Sequence, residues 1–368
     1  MTSTPVPHAT VWFDQATGLV QVIDQTRLPF ETVVLTLETL DQAADAIVSM
    51  KVRGAPLIGI TAAFGVYLAL KADPHSLEAA CEQLLKTRPT AVNLRWALER
   101  MQGQLREVAL EKRAADALAL AIRILEEDAA ACSAIGDYGL KILQELYQHK
   151  RALEGDKAVL NVLTHCNAGW LATGAWGTAL APIYKAKLAG IPIHVWVDET
   201  RPRSQGASLT AWELGQSQVP HTLIVDNAGG HLMQHGLVDV CLVGSDRTTA
   251  AGDVCNKIGT YLKALAAYDN GVPFYAALPV STVDFNMMDG VREIPIEERS
   301  AEEVTHMQGL DENGQLHKIR VAAPQTAVSN FGFDVTPARL VSGLITEFGV
   351  FPATVEGLAA LRAATEAV

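Results

Sequence analysis

The chain has 368 residues, 49% of them hydrophobic, and a formal net charge of -12. That length suits two domains, and the apolar content is too high for a disordered chain. The negative balance argues against nucleic acid or an anionic membrane as a partner, because nothing would offset phosphate repulsion. A few local Arg and Lys residues still suffice for a small anion.

In chain order, residues 10–13, 19–23 and 32–37 read as short β-strands separated by turn residues such as Ala16-Thr17-Gly18. From about residue 40 to 148 the signal is helical. Leu40, Ala44, Ile47 and Val48 share a face, and Gly136 and Gly139 are weak points in the Ala/Leu/Glu-rich stretch 114–147. The longest apolar run, 56–70, contains two glycines and a threonine, and is shorter than the ~18–20 residues of a membrane span.

Two helix starts in this half carry arginines. In Arg53-Gly54-Ala55-Pro56 the proline suits the first helical position, which leaves Arg53 beside the free N–H groups of Gly54 and Ala55. In Arg88-Pro89-Thr90-Ala91, Thr90 is expected to cap a helix over 91–105. Two arginines in parallel contexts suggest an anion-binding pair. Residues 148–157 lose the apolar pattern and end in the turn signal Gly155-Asp156, so a domain break is expected near 150, between units 1–150 and 151–368.

The second half alternates strands with helical segments. Strands are expected at 158–163, 191–197, 222–225, 238–243 and 272–277, which implies a parallel sheet covered on both faces. After the first strand, the small-residue run 170–180 reads as a helix packed closely on the sheet. After the fourth, a helix is expected from Gly252-Asp253 to Asn270-Gly271, with Lys257 in its first turns opposing the helix dipole unless an anion binds there. Thr336-Pro337 is expected to open a last helix over 338–348. The fold class is therefore α/β: a C-terminal Rossmann-like, doubly wound, mostly parallel sheet, preceded by a small mostly helical N-terminal domain with a short antiparallel β element.

In a parallel sheet the polar groups that follow each strand gather along one edge, where such folds bind ligands. These groups are His165 and Cys166, Asp198 and Glu199, Asp226 and Asn227, Ser245 and Asp246, and Ser281 and Thr282. Cys166 and Asp246 are the reactive pair among them. A partly desolvated carboxyl group has its pKa raised and can act as general acid or base. With cations for an anion nearby, the pair suits proton or hydride movement on a phosphorylated small molecule. A Cys–His nucleophile is the competing chemistry, and it needs His165 to reach the thiol; the preferred reading makes His165 structural.

Five cysteines, at 81, 132, 166, 241 and 255, form no CxxC pair, so neither a disulfide scaffold nor a zinc site is expected, and the compartment is read as reducing. The N-terminus shows no cleavable signal pattern. No GxGxxG follows a strand, and there is no GxxxxGK[ST] and no HExxH.

At these residues the chain resembles the methylthioribose-1-phosphate isomerases, which are related to the regulatory α, β and δ subunits of translation initiation factor 2B. The likeness rests on Val52-Arg53-Gly54-Ala55-Pro56, Arg88-Pro89-Thr90-Ala91-Val92-Asn93-Leu94 and Thr164-His165-Cys166-Asn167-Ala168-Gly169. It continues through Glu199-Thr200-Arg201-Pro202-Arg203-Ser204-Gln205-Gly206-Ala207 and Gly244-Ser245-Asp246-Arg247. It ends on Gly252-Asp253-Val254-Cys255-Asn256-Lys257-Ile258-Gly259-Thr260 and Ile294-Pro295-Ile296-Glu297-Glu298-Arg299. The resemblance implies aldose–ketose isomerisation of 5-methylthioribose 1-phosphate to the ribulose 1-phosphate in methionine salvage. It puts the catalytic roles on Cys166 and Asp246, and substrate binding on Arg53, Gly54, Ala55, Arg88, Gln205, Asn256 and Lys257. It further implies a cytoplasmic homodimer with no metal or nucleotide cofactor, acting on a phosphorylated sugar with neither nucleic acid nor membrane as partner. Ser245, where alanine is usual, and Trp170 depart from the pattern. The rival readings are an isomerase of 5-deoxyribose 1-phosphate or ribose 1,5-bisphosphate, and a non-catalytic regulatory subunit.

Overall fold

The computed structural model describes residues 9–88 and 91–367. The chain opens with an antiparallel sheet, β1 (Val11–Asp14), β2 (Leu19–Ile23) and β3 (Val34–Leu37), in that order. Five helices follow: α1 (Leu40–Val48), α2 (Ala55–Ala72), α3 (Leu77–Leu85), α4 (Val92–Leu105) and α5 (Leu110–Glu154). In α1 the buried positions are Ala43, Ala46 and Ile47, while Val48 is exposed, so the apolar face is rotated from the one expected.

Helix α2 is the hub of this half. Every residue from Ala55 to Leu70 is buried, as a helix apolar on all sides must be. Among the described residues it alone has the length and hydropathy to cross a membrane, but 83% of it is buried inside the fold, as in a core helix. It packs against α1, α3, α4 and α5. Helix α5 is 45 residues long and serves two cores. Ala117, Leu120 and Ile124 belong to the core around α2, and Ile135 and Leu143 to the core under the large sheet. The helix runs unbroken through residue 150 and stops at Gly155, whose φ is +77°. Its glycines are contact points rather than weak ones. A Cβ on Gly139 would lie 2.3 Å from Cγ of Pro182, so the missing side chain lets α5 close on the next helix, α6 (Leu180–Leu188).

The second half supplies β4 (Leu160–Thr164), β5 (Ile193–Asp198), α7 (Ala211–Gln216), β6 (His221–Ile224), α8 (Ala228–Gln234) and β7 (Val240–Val243). It continues with β8 (Arg247–Thr249), β9 (Val254–Lys257), α9 (Thr260–Asp269), β10 (Phe274–Ala277), β11 (Val283–Asp284), α10 (Gly290–Glu293) and α11 (Glu302–Thr305). The chain closes with β12 (His306–Leu310), β13 (Leu316–Arg320), β14 (Phe333–Thr336), β15 (Gly343–Thr346), β16 (Gly349–Phe351) and α12 (Val355–Glu366). The large sheet has the order β16-β15-β10-β7-β4-β5-β6. All neighbours in it are parallel except β16, which turns back on β15. Counted along the chain, the six parallel strands are ordered 3-2-1-4-5-6 from β6 to β15. The direction of winding therefore reverses between β4 and β7, and the crevice of such folds opens there.

Three further expectations need correcting. First, Val254–Lys257 is a strand, not the first turn of a helix. All four residues are buried, and they pair antiparallel with β8 and β14 in a second sheet of order β11-β8-β9-β14. Gly252, at φ +92°, makes the turn from β8 to β9. Helix α9 begins only after Gly259, where Asp334 accepts hydrogen bonds from the N–H groups of Gly259 and Tyr261. Second, 338–348 is not a helix: a short 3-10 turn, Ala338–Leu340, leads into β15, the sixth parallel strand. A short, wholly buried apolar run does not reveal its type by periodicity. Third, 170–180 forms only the 3-10 turn Trp170–Ala172 before a loop reaching α6. That loop folds back so tightly that a Cβ on Gly177 would lie 2.3 Å from Cα of Gly169.

Candidate active site

Cys166 stands two residues beyond β4, at the reversal point. Its φ is +65°, an uncommon conformation for a residue with a side chain. Neighbouring elements fix it there. Its N–H donates to Oγ1 of Thr200 at 2.8 Å, its carbonyl accepts from Oγ1 of Thr210 at 2.7 Å, and its thiol donates to Oε1 of Gln205 at 3.1 Å. All three partners come from the segment after β5. Gln205 immediately precedes a π-type turn, Gly206–Thr210, a local irregularity common at functional sites.

The same turn region organises a cation. Arg53 is buried and donates to both Oδ1 and the carbonyl of Asn167, at 2.9 and 2.8 Å. Asn167 in turn donates from Nδ2 to Oγ1 of Thr210 at 3.1 Å and to Oε1 of Glu213 at 2.7 Å. Glu213 is wholly buried and also accepts from the N–H groups of Trp170 and Leu171 and from the Tyr184 hydroxyl. Burial pushes its carboxyl up to about 7 against these donors. Nothing in the local sequence around Glu213 signalled this pin, because its donors come from β4's loop and from α6.

Gly54, φ +96°, precedes α2, so the free N–H groups at that helix start line the cleft together with Arg53 and Ala55. Arg88 and Ala91 line it from the start of α4. The expected cap, Thr90, lies outside the described residues; within them α4 starts at Val92. Lys257 enters from β9, not from a helix. Its ammonium donates to the Gly332 carbonyl at 2.9 Å and lies 4.6 Å from the centroid of the Phe333 ring. Asn256 is buried beside it and donates to Oγ1 of Thr260.

Asp246 follows β7, the strand adjoining β4. Its N–H donates to the Cys255 carbonyl at 2.9 Å, which ties the turn to β9. Burial raises its carboxyl pKa above the ordinary value, against the pull of Lys257, Arg88 and Arg53. Burial likewise pushes the Cys166 thiol up, against Arg53 and Lys257. The cations show the reverse: burial lowers Lys257 and Arg53, while Cys166 and Asp246 act to hold both up. One thiol, one carboxyl group and two buried cations thus share a single electrostatic environment.

Cys166, Asp246, Arg53, Gly54, Ala55, Arg88, Gln205, Asn256 and Lys257 all line this one cleft. Ser245 lines it too, but the other strand-end groups do not. Ser281 and Thr282 turn away to hydrogen-bond Asn93. Asp226 accepts from the N–H groups of Thr200 and Arg201. His165 is buried with Nδ1 2.8 Å from Asp198 and Nε2 2.8 Å from the Ile258 carbonyl, so both ring nitrogens are engaged away from the thiol. A Cys–His nucleophile finds no geometry here. His165, Asp198 and Asp226 cluster closely enough to hold a metal ion, but Lys263 already sits on Asp198 at 3.1 Å and supplies the positive charge. The departures are accounted for: Ser245 shares a hydrogen bond with Thr248 at 2.9 Å, and the Trp170 ring packs against Trp212 in the core.

Fold and site together define a Rossmann-type α/β protein with a cation-lined cleft at its reversal point, where a part-buried thiol and a part-buried carboxyl group sit. The model of the initiation factor 2 subunit family matches residues 51–353. The methylthioribose-1-phosphate isomerase of Methylorubrum populi is 60% identical over 357 residues, 96% of each chain. The 5-methylthioribose 1-phosphate isomerase of Pyrococcus horikoshii superposes with a TM-score of 0.82 at 38% identity, covering 100% of this chain and 97% of that one. The delta subunit of translation initiation factor eIF-2B from A. fulgidus reaches 0.78 at 34% identity, over 96% and 99%. The chain belongs to the methylthioribose-1-phosphate isomerase family, within the wider initiation factor 2 subunit family.

Proposed function

We propose that this protein is the enzyme that converts 5-methylthioribose 1-phosphate to 5-methylthioribulose 1-phosphate, an aldose–ketose isomerase of methionine salvage. The observation that carries this reading is that Cys166, Asp246, Arg53, Arg88 and Lys257 line one cleft at the reversal point of the sheet. The anomeric oxygen of this substrate carries phosphate, so the sugar ring does not open freely to an aldehyde. Asp246, held toward its neutral form by burial, delivers a proton to the ring oxygen as the C1–O bond breaks. The hydrogen on C2 moves to C1, the C2 hydroxyl returns a proton to the ionised Asp246, and a ketone forms with the acid reset. Cys166 lies against C1–C2, and Arg53, Arg88, Lys257 and the start of α2 hold the phosphate. Gly54, Ala55, Gln205 and Asn256 complete the binding wall. The helical N-terminal unit, 1–150, supplies Arg53 and Arg88, and unit 151–368 supplies the reacting pair. The family resemblance supports a cytoplasmic homodimer that uses no metal or nucleotide cofactor.

Steady-state turnover of 5-methylthioribose 1-phosphate, 5-deoxyribose 1-phosphate and ribose 1,5-bisphosphate side by side tests the reading. The methylthio sugar is expected to give the highest kcat/KM, and a higher value for either rival reassigns the substrate. A second reading, a non-catalytic regulatory protein, draws on the A. fulgidus likeness. It is expected to show no turnover at all, so a Cys166→Ser variant would have none to lose.

A further inference from the structure

Arg88 reaches the cleft with unequal partners. Its Nη2 donates to Oε2 of Glu297 at 3.0 Å, whereas Nη1 has the Met50 sulfur at 3.5 Å, a weak acceptor. Its Nε is buried with no partner among the described residues. Such a donor left unmet costs free energy until something accepts from it.

Glu297 is itself braced. Its Oε1 accepts from Nη1 of Arg299 at 2.8 Å, and Arg299 gives Nε and Nη2 to Glu303. Glu303 also accepts from Arg203 at 2.9 Å and from Asn330 at 3.1 Å. Arg88, Glu297, Arg299, Glu303 and Arg203 therefore form a ladder of alternating charge. It begins at the anion cradle and ends two residues from Gln205, which holds the thiol. A carboxylate beside a phosphate site repels the ligand, so Glu297 needs a role other than contact with it.

We propose that Glu297 is a positioning residue: it anchors one corner of the Arg88 guanidinium so that the weakly held Nη1 and the unpaired Nε are kept for the anionic group of the sugar phosphate. This rests on the sugar-phosphate reading above. The ladder supplies the rigidity, because Glu297 cannot swing away without unpairing Arg299 as well. An arriving anion replaces the sulfur contact with a charge-assisted one. Glu297 also adds to the upward push on Asp246, and so helps to keep that acid protonated.

The test is a double-mutant cycle in the full-length protein with Arg88→Ala, Glu297→Gln and the double variant. Inorganic phosphate is titrated calorimetrically, and KM and kcat are measured in parallel. Glu297→Gln is expected to weaken phosphate binding and raise KM about tenfold, the loss of one charge-assisted contact, with a smaller change in kcat. In the Arg88→Ala background the same change is expected to add nothing. An equal loss in both backgrounds, or unchanged phosphate affinity, overturns the proposal. If Glu297→Gln does not fold, Glu297→Asp keeps the charge but not the reach. It is expected to weaken phosphate as Gln would, and wild-type affinity there overturns the proposal too. A wild type that binds phosphate yet turns over none of the sugar phosphates defeats the isomerase reading and leaves this one standing.

Discussion

The Cys166 thiol donates to Oε1 of Gln205 across 3.1 Å, although the two residues lie on different loops at the rim of the sheet. The contact fixes the direction of the sulfur in a site where the backbone is already held at φ +65°. Gln205→Ala removes the acceptor and leaves the two backbone anchors of Cys166, to Thr200 and Thr210, in place. A fall in kcat of about 10- to 100-fold is expected, as for a misplaced reacting group, with a native circular dichroism spectrum. Wild-type kcat in that variant would show that the thiol needs no such guide.

Asp246 gives a second expectation, on pH. Burial raises its pKa, so the carboxyl group is neutral below that raised value and ionised above it. If it acts as the acid toward the ring oxygen, kcat/KM is level at low pH and falls about tenfold per unit once pH passes the raised pKa. Asp246→Asn is expected to lower kcat by about 10²- to 10⁴-fold and to erase that limb. A profile that rises with pH over the same range would assign Asp246 the role of base instead.

Much of this was legible in the sequence because it depends on strand ends. Apolar runs marked five parallel strands, and parallel pairing alone brings Cys166 and Asp246 to one crevice, eighty positions apart in the chain. What escaped was set by long-range partners. Lys257 lies in a strand because β14, seventy-odd residues later, pairs with it. The sixth strand, β15, is four buried residues with no period to read. Glu213 looks like an ordinary acid on a short helix, and only the fold brings Asn167, Trp170, Leu171 and Tyr184 to its carboxylate.

Asp128 predicts how stability responds to pH. It lies on α5 behind the loop that lines the cleft, and accepts from the Gly174 N–H at 2.7 Å. Burial pushes its carboxyl from 3.8 to about 7, with Glu347 adding to the rise and Cys132 donating weakly to it. A folded-state pKa above the unfolded one means that its contribution to stability is complete below about 4 and is lost as pH rises through about 7. Asp128→Asn keeps the shape and an acceptor for Gly174 but does not ionise. Urea unfolding is expected to show little difference at pH 4 and a gain on the order of 2 kcal/mol for the variant at pH 8, discounted for partial exposure. Equal stabilities at pH 8 would contradict the burial argument.

Gly54 links the shape of the backbone to anion binding. Its φ of +96° lies where side chains are strained, and a Cβ there would come within 2.6 Å of the Ala172 carbonyl oxygen. Cα and Cβ of Ala172 lie within 2.7 Å as well, all fixed by the backbone, so none of them yields as a flexible side chain would. Gly54→Ala must therefore shift either the start of α2 or the turn Trp170–Ala172. The strain and the overlap together are expected to cost about 2–4 kcal/mol of stability. The functional loss should exceed that share, because the shifted groups are Arg53 and the free N–H groups that face the anion. Inorganic phosphate affinity, measured calorimetrically at a temperature where the variant is fully folded, is expected to drop at least tenfold. A folded Gly54→Ala protein with wild-type phosphate affinity would show that the start of α2 is not part of the anion site.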